Sequence, residues 1–270
     1  MFDEENMTQA RGYVDADYLD VASKGLKQYK QRTYTWMHIQ PGHAVLDVGC
    51  GPGTDTIALA GLVGPTGRVV GVDCDADLIA EADRRAERAG CSAWCRHQQG
   101  DALALPLEMG TFEACRSERL FHHVHNPAGV LAEMARVTRP GGWVVVWDTD
   151  WGTLSIDTPE VDIERRLVRV KAERVVNNGY AGRQLYGLFK RQQFAYIDME
   201  IHPVSFTDYT LLRYASVMDT VERDALAAGL VTEEELHRWQ QSLLEAQNTG
   251  TFFAHVTGVL VAGRIHESAR

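Results

Sequence analysis

Three glycines and one aspartate stand close together in the segment VLDVGCGPGT, residues 45 to 54. Gly49, Gly51 and Gly53 follow an apolar run and precede a helical pattern, and a turn that brings the backbone close to a ligand needs glycine. Asp47 lies two residues before this turn. Because a carboxylate repels a pyrophosphate and attracts an amine, the segment predicts a binding loop for a ligand with an amine and no phosphate.

The spacing of these glycines differs from that of two common nucleotide-binding loops. A dinucleotide-binding GxGxxG loop would place its third glycine at position 54, which is Thr54. A phosphate-binding loop would continue with a lysine, which does not follow Gly53. S-adenosylmethionine carries an ammonium, a sulfonium and a neutral adenosine, and it fits the loop better. A local role, in which Asp47 only accepts hydrogen bonds from turn amides, stays open as the alternative.

Two further aspartates follow later strand candidates. Asp73 ends the run VVGVD, where a carboxylate can accept hydrogen bonds from both ribose hydroxyls. Asp101 lies in GDA, residues 100 to 102, where it could accept the adenine amino proton while Ala102 and Cys74 flank the ring. The three loops together predict a site for adenosine with an aminoacyl group.

The chain from about residue 43 to 150 alternates short apolar runs with helical patterns. The strand candidates are HAVLDVG, RVVGVD, WCRHQQGDA, FEACRSE and GWVVVWD. Such alternation predicts parallel strands joined by right-handed crossovers, and hence a three-layer α/β sandwich. Ligands of these sheets bind beyond the carboxyl ends of the strands.

The flanking parts are predicted to be mostly helical, with two further strands. Residues 8 to 38, 155 to 192 and 207 to 248 have helical patterns, and Thr232 to Glu235 forms a capping box. YIDMEIHPV and TFFAHVTGVLVAGRI are strand candidates that could pair antiparallel. We interpret the chain as one domain. It has a helical lid (1–40), a cofactor-binding core (41–151), a helical cap with an edge strand (152–250) and a final strand (251–266).

Four motifs in order resemble those of the class I S-adenosylmethionine-dependent methyltransferases. VLDVGCGPGT, VVGVD, GDALALP and VTRPGGWVVVWD are similar to the small-molecule branch related to ubiquinone and menaquinone methyltransferases, over about residues 41 to 150. The resemblance implies a Rossmann-like, mostly parallel seven-stranded sheet of order 3-2-1-4-5-7-6 with the last strand antiparallel. It also implies that Ser117 lies beside the methionyl group. Two departures are Glu113, where the branch usually has aspartate, and Gln192 and Gln193, which replace a small-residue turn.

The predicted cofactor contacts combine the three loops with this resemblance. They are Asp47, Gly49, Cys50, Gly51, Gly53, Thr54, Asp73, Cys74, Gly100, Asp101, Ala102, Ser117 and His122.

Three residues near the ends of the fourth and fifth strands are candidate bases. His122 and His123 lie in RLFHHVHNP, and a histidine with a pKa of about 6.5 can take a proton near neutrality. Adjacent helical residues point in different directions, so at most one of them should face the substrate. Asp150 follows the fifth strand. Helix packing of the histidines and a polar turn at Asp150 are the alternatives. The HHVH cluster lacks the i, i+4 pairing of helical zinc sites, so we expect no metal.

The methyl acceptor is predicted to be a small metabolite, and aromatic residues near the rim favour one with a ring. The candidate substrate contacts are Tyr18 and Tyr29 from the lid, Trp151 after the fifth strand, and Tyr180, Arg183 and Tyr186 from the cap. Whether oxygen, nitrogen or carbon is methylated stays open. Two other functions also stay open: a non-methylating reaction such as a cyclisation on the same fold, and NAD-linked oxidoreduction.

Composition narrows the classes of partner. Lys and Arg total 27 against 37 Asp and Glu, a net charge of -10, which disfavours a nucleic-acid partner. The acidic start MFDEENMTQA and the lack of about 18 consecutive apolar residues predict no signal peptide and no membrane span. Five cysteines without a CxxC pair predict reduced thiols. We therefore expect a cytoplasmic monomer or homodimer.

Overall fold

The computed structural model describes residues 27–267 of the chain. Most of the predicted lid, including the candidate substrate contact Tyr18, lies outside the described residues.

A single seven-stranded sheet forms the centre of the described chain. Its strands are β1 Ala44–Val48, β2 Arg68–Asp73, β3 Cys95–Gln99, β4 Phe112–Glu118, β5 Thr138–Ile156, β6 Tyr196–Phe206 and β7 Ala254–Arg264. The order is β3-β2-β1-β4-β5-β7-β6. Strands β1 to β5 pair in parallel, and β7 runs antiparallel to both of its neighbours. The predicted strand order and the antiparallel last strand are confirmed.

Helices cover both faces of the sheet. They are α1 Lys27–Trp36, α2 Thr54–Val63, α3 Ala76–Arg88, α4 Pro127–Val137, α5 Val161–Val170, α6 Ala181–Arg191, α7 Tyr209–Ser216, α8 Met218–Ala227 and α9 Glu233–Thr249. Apolar residues of α1, α2 and α3 pack on one face, and those of α4 and α6 pack on the other. The predicted three-layer sandwich is confirmed. Asp75 and Asn126 cap α3 and α4, and the predicted capping box of Thr232 and Glu235 is present at α9.

A second apolar core joins the remaining helices to the end of β5. Buried residues of α5, α7, α8 and α9 pack together with Trp151, Leu154 and Phe252. Helix α6 is different, because Leu185, Leu188 and Phe189 belong to the core of the sheet. Helices α5 and α7 to α9 therefore share the core of the cap, while α6 packs on the sheet, and the boundaries 152–250 for the cap stay a prediction.

Local contacts explain the two positions, Glu113 and Gln193, at which the sequence departs from the family that it resembles. The Glu113 side chain accepts a hydrogen bond from the Ala44 amide at 2.7 Å and lies 3.2 Å from Arg139, so it joins the starts of two strands. Gln193 adopts a left-handed φ of 56° in the turn before β6, the conformation that a small residue would adopt more easily. Over residues 27–267, no helix has the length and apolar character needed to cross a membrane.

Candidate functional site

The loop between β1 and α2 uses backbone conformations that favour glycine. Gly49, Gly51 and Gly53 have φ values of 75°, 52° and 81°. A Cβ atom added to Gly53 would lie 2.9 Å from the Cβ atom of Ala82 and 3.1 Å from Nε2 of His97. The start of α2 therefore packs directly on α3 and β3, which fixes the loop against the sheet.

Replacing Gly53 by alanine should lower the free energy of unfolding by about 2–5 kcal/mol, since overpacking costs about 1–3 kcal/mol and a left-handed residue about 1–2 kcal/mol. Urea unfolding measures this loss. The matched control is Gly61→Ala in α2, where the added Cβ meets nothing within 4 Å and helix propensity should add stability. Equal effects of the two substitutions would contradict this account of the loop.

The amide groups of the glycine loop are engaged within the protein. Gly49 and Cys50 donate to the Val72 carbonyl at 2.8 and 3.1 Å, and Gly51 donates to Oδ2 of Asp73 at 2.8 Å. A phosphate-binding loop needs such amides to point at the ligand. The geometry therefore disfavours a pyrophosphate for a reason that the glycine spacing alone did not give.

Asp73 stands at the carboxyl end of β2, beside this loop. Its Oδ1 atom accepts from the Asp75 amide at 3.0 Å, and its other oxygen accepts from Gly51. Burial raises the pKa of the Asp73 carboxyl above its usual value, while these amides oppose the shift. Each carboxylate oxygen can accept two hydrogen bonds, so each retains capacity for a ribose hydroxyl. The Gly100 amide donates to the Asp73 carbonyl at 2.9 Å, which brings the third loop to the same place.

The residues predicted around the adenine lie at the rim of the same sheet edge. Oδ1 of Asp101 accepts from the Leu103 amide at 2.8 Å, so the side chain caps its own turn. Cys74 and Thr54 are exposed, and Ala102 is half-buried against the core. The adenine contacts stay predictions.

Asp47 is a buried partner of Arg116. The Asp47 residue is 2% exposed, and its Oδ1 atom lies 3.4 Å from Nη1 of Arg116. The two residues face each other in the register of β1 and β4. Because Arg116 neutralises much of its field, Asp47 attracts an amine less strongly than an unpaired carboxylate would. Its contact with the cofactor stays a prediction.

Asp47 belongs to a buried ionic cluster beneath the glycine loop. The ionic cluster consists of Lys30, Asp47, Asp55, Arg116 and Glu118. Nζ of Lys30 lies 2.6 Å from Asp55 and 2.7 Å from Glu118, and Nη2 of Arg116 lies 2.7 Å from Glu118. The cluster thus connects α1, the start of α2 and the ends of β1 and β4.

The acids of the ionic cluster titrate differently. Burial raises the pKa of Asp47 to about 7, although Arg116 opposes the shift. Burial would also raise the pKa of Asp55, but Arg116 and Lys30 outweigh it and hold the pKa below its usual value. Burial would also raise the pKa of Glu118, but Lys30, Arg116 and Arg119 together outweigh it and lower the pKa. The cluster therefore holds two carboxylates firmly ionised and a third close to its titration point at neutral pH.

His122 is held by a carboxylate at the carboxyl end of β5. Its Nδ1 atom lies 2.5 Å from Oδ1 of the buried Asp148, whose other oxygen accepts from the Phe121 amide at 2.7 Å. Because an ionised carboxylate only accepts, Nδ1 is the protonated nitrogen in this pair. Asp148 therefore fixes both the ring of His122 and the loop that carries it.

His123 is the second histidine of this loop. Its ring lies 4.0 Å from the ring of His122, centre to centre. Burial, with help from His122 and Lys171, holds the pKa of His123 well below its usual value. His123 is therefore a neutral imidazole near pH 7. The described residues contain no group of three histidine, cysteine or acidic side chains that could hold a metal ion.

Asp150 is paired with Arg183. Its Oδ2 atom accepts from Nε of Arg183 at 2.5 Å, and its Oδ1 atom accepts from the Gly152 amide at 3.2 Å. Asp150 thus joins β5 to α6 through an ion pair, and its role as a base stays a prediction.

The candidate substrate contacts divide into two groups. Trp151 is buried within β5, which continues to Ile156, so the prediction that Asp150 and Trp151 follow the fifth strand is wrong. Tyr180 lies close by, with its hydroxyl 3.0 Å from Glu173. Tyr29 instead packs on the sheet between Trp147 and His202. Tyr186 is 42% exposed on α6, with Nζ of Lys190 5.2 Å from its ring centre. The geometry keeps Trp151 and Tyr180 as candidates and disfavours Tyr29 and Tyr186.

Sequence reasoning missed several residues of this region, among them Asp55, Arg116, Glu118 and Lys171. Arg116 and Glu118 inside the buried run FEACRSE were a signal, since buried charges need partners. Lys171 carried no comparable signal, because KAERV continues the charged pattern of α5.

Comparison with known proteins gives a consistent result. A family model described as a methyltransferase domain matches residues 45–142. The chain is 35% identical over 259 residues to an uncharacterized 37.1 kDa protein of transposon TN4556 from Streptomyces fradiae, covering 93% of this chain and 71% of that protein.

Two further comparisons concern proteins of named activity. The chain is 35% identical over 128 residues to a demethylmenaquinone methyltransferase of Bacillus cereus, covering 47% of this chain and 54% of that enzyme, about half its length. A solved structure of a geranyl diphosphate methyltransferase in complex with S-adenosylmethionine superposes with a TM-score of 0.55 at 21% identity, covering 88% of this chain and 85% of that one. At this identity the superposition is evidence of the fold alone.

Proposed function

The chain belongs to the class I S-adenosylmethionine-dependent methyltransferases, and on this premise we propose that it methylates a small, ring-bearing acceptor enclosed by the cap. The cofactor is S-adenosylmethionine. When bound, it supplies an electrophilic methyl group for an in-line displacement.

The described residues fit this cofactor. The loop amides turn inward, where a phosphate could not reach them, and Asp73 retains acceptor capacity for two hydroxyls. Ser117 is 1% exposed, and its Oγ atom has no hydrogen-bond partner within residues 27–267. A buried hydroxyl without a partner is costly, so a ligand group at this strand end would satisfy it.

The observation that carries the proposal is the attachment of the cap to the rim of the sheet. The Asn178 amide donates to the His122 carbonyl at 3.0 Å, and the Trp151 amide donates to the Gly179 carbonyl at 2.8 Å. The Asn177 side chain donates to the His123 carbonyl at 2.6 Å. Residues 177–179 thus bridge the loop after β4 and the last part of β5, beside the strand end that carries Ser117.

The protein would accelerate methyl transfer mainly by positioning the acceptor. Holding an acceptor in line at about 3–3.5 Å from the reacting carbon can supply roughly 7–11 kcal/mol of the barrier. The loop of His122, fixed by Asp148, and the bridge of residues 177–179 would hold the acceptor and exclude water. Trp151 and Tyr180 are the proposed ring contacts.

The test is transfer of a deuterated methyl group from S-adenosylmethionine to a panel of phenols, enols, amines and carboxylic acids, followed by mass spectrometry. We expect a deuterated product in amounts equal to the S-adenosylhomocysteine formed. A reaction that converts the acceptor while the label stays on the cofactor would favour the cyclisation alternative. Tight cofactor binding with no conversion of any acceptor would count against an enzyme of small molecules.

A further inference from the structure

Lys171 is a buried amine at the rim of this proposed site. It begins the π-helical segment Lys171–Val175, which follows α5, and it is 2% exposed. Its Nζ atom lies 4.4 Å from the centre of the Trp151 ring. Single π-helical turns are frequent at functional sites. Neither the sequence motifs nor the proposed function uses this residue.

Backbone contacts fix the place of this amine. The Gly179 amide donates to the Ala172 carbonyl at 3.2 Å, and the Gly179 carbonyl accepts from the Trp151 amide at 2.8 Å. A Cβ atom added to Gly179 would lie 2.4 Å from Cα of Ala172, so only glycine allows this approach. The start of the π-helical segment, the bridge to the cap and the end of β5 are therefore locked together.

The amine lies close to the loop after β4 as well. Its charge contributes to the lowered pKa of His123, after burial and His122. Burial also lowers the pKa of Lys171 itself, to about 7. A base with a pKa near the working pH is the most effective proton acceptor. Lys171 against Trp151 and His123 in the loop after β4 are thus two basic groups, and a large fraction of each is uncharged near neutral pH.

The elements packed against this segment carry several charged and titratable groups. They are Arg169 on α5, Asp148 and Asp150 on β5, Glu222 on α8, and Glu173 and Arg174 on the segment itself, with His122 and His123 nearby in the loop after β4. Each of the four acids has a partner of its own. Asp148 lies 2.5 Å from His122 and Asp150 lies 2.5 Å from Arg183. Glu222 accepts from Arg213 at 2.5 Å, and Glu173 accepts from Tyr180 at 3.0 Å.

We propose that Lys171 takes the proton of an acidic ring hydroxyl, a phenol or an enol, on the methyl acceptor, while Trp151 holds the ring. In this step the O–H bond breaks, its electron pair stays on the oxygen, and an N–H bond forms on Lys171. The oxygen becomes the nucleophile that methyl transfer needs. The inference rests on the proposed function and narrows its acceptor to one class.

Lys171 suits this task better than the bases predicted from the sequence. The Asp150 carboxylate is paired with the Arg183 guanidinium at 2.5 Å, and taking up a proton would weaken this pair. His123 is the weaker proton acceptor, because its pKa is held well below its usual value by burial. His123 can instead accept or donate a hydrogen bond to the same oxygen as a neutral imidazole.

Spectroscopy of a bound phenol tests this proposal without methyl transfer. The probe is 4-hydroxyacetophenone, whose anion absorbs at longer wavelength than protein, added to the protein saturated with S-adenosylhomocysteine at a pH one unit below the pKa of the free phenol. We expect the phenolate band to appear on binding to the wild type. Lys171→Met should lower the bound phenolate fraction about tenfold, which corresponds to about one pKa unit.

The control is Lys190→Met, which removes an exposed lysine that also lies over an aromatic ring. It should leave the phenolate band unchanged. Lys171→Gln serves as a second variant, and S-adenosylhomocysteine affinity within twofold of the wild type verifies that each variant is folded. No binding of the phenol, binding without ionisation in the wild type, or equal bands in wild type and Lys171 variants would overturn the inference. If no acceptor in the panel is methylated, that result counts against the proposed function. It does not change the phenolate spectrum, so the two failures can be distinguished.

Discussion

Replacing Arg116 by methionine is expected to lower the free energy of unfolding by about 3–5 kcal/mol at pH 8, because it leaves buried carboxylates without their main cation. Arg116 is fully buried and lies within 3.4 Å of Asp47, Asp55 and Glu118. After the substitution, only Lys30 remains in the ionic cluster to balance the three acids. Urea unfolding across a range of pH measures the loss.

The loss should shrink as the pH falls from 8 to 5. Without Arg116 the folded-state pKa values of the three acids rise above their unfolded values, so the folded variant binds more protons than its unfolded chain. Stability therefore increases on acidification in the variant. In the wild type, only Asp47 adds stability on acidification, because burial raises its pKa to about 7. The stability that protonated Asp47 contributes is lost as the pH rises through about 7. The lowered pKa values of Asp55 and Glu118 stabilise the wild type until the pH falls below about 4.

The matched control is Arg84→Met, which removes a surface pair with Glu81. The Arg84 side chain is 62% exposed, and exposed pairs contribute about 0–1 kcal/mol. A loss for Arg116→Met no larger than that of Arg84→Met, or one that grows on acidification, would contradict the electrostatic account of the ionic cluster.

Asp73→Ala is expected to weaken binding of S-adenosylhomocysteine at least 100-fold. Two hydrogen bonds from ribose hydroxyls to a carboxylate contribute about 1.5–3 kcal/mol each, and about 1.4 kcal/mol corresponds to a factor of ten. The variant also loses the acceptor of the Gly51 amide, which loosens the glycine loop. Isothermal titration calorimetry measures the dissociation constant.

Asp77→Ala is the control for this prediction, because Asp77 is an exposed carboxylate in the first turn of α3. It removes the same charge a few residues away and should change the affinity by less than threefold. Thermal unfolding of both variants without ligand separates lost stability from lost contacts. Affinity of Asp73→Ala within threefold of the wild type would show that the ribose does not depend on this carboxylate.

The sequence was sufficient for the sheet and for the cofactor class. Strand order followed from the resemblance of four motifs, and the positions of the glycine loop and Asp73 followed from glycine spacing and strand ends. These features are local, and each lies within a few residues of the pattern that predicts it. The three-layer architecture followed from the alternation of strands and helices.

The electrostatics of the site were not predictable in the same way. Asp47 and Arg116 are 69 positions apart, and they meet only because β1 and β4 are neighbours with these residues in register. The partner of the candidate base Asp150 was not predictable for the same reason, since Arg183 reaches it from another element, 33 positions away. The place of Lys171 depends on a π-helical segment and on the close approach of Gly179, and neither has a periodic signal.

A crystal structure of the protein with S-adenosylhomocysteine tests the account most directly. The account predicts both ribose hydroxyls on the carboxylate of Asp73 and the sulfur facing the space between His123 and Lys171, under the bridge of residues 177–179. A sulfur that faces away from this space, or a ribose bound elsewhere than at Asp73, would contradict it.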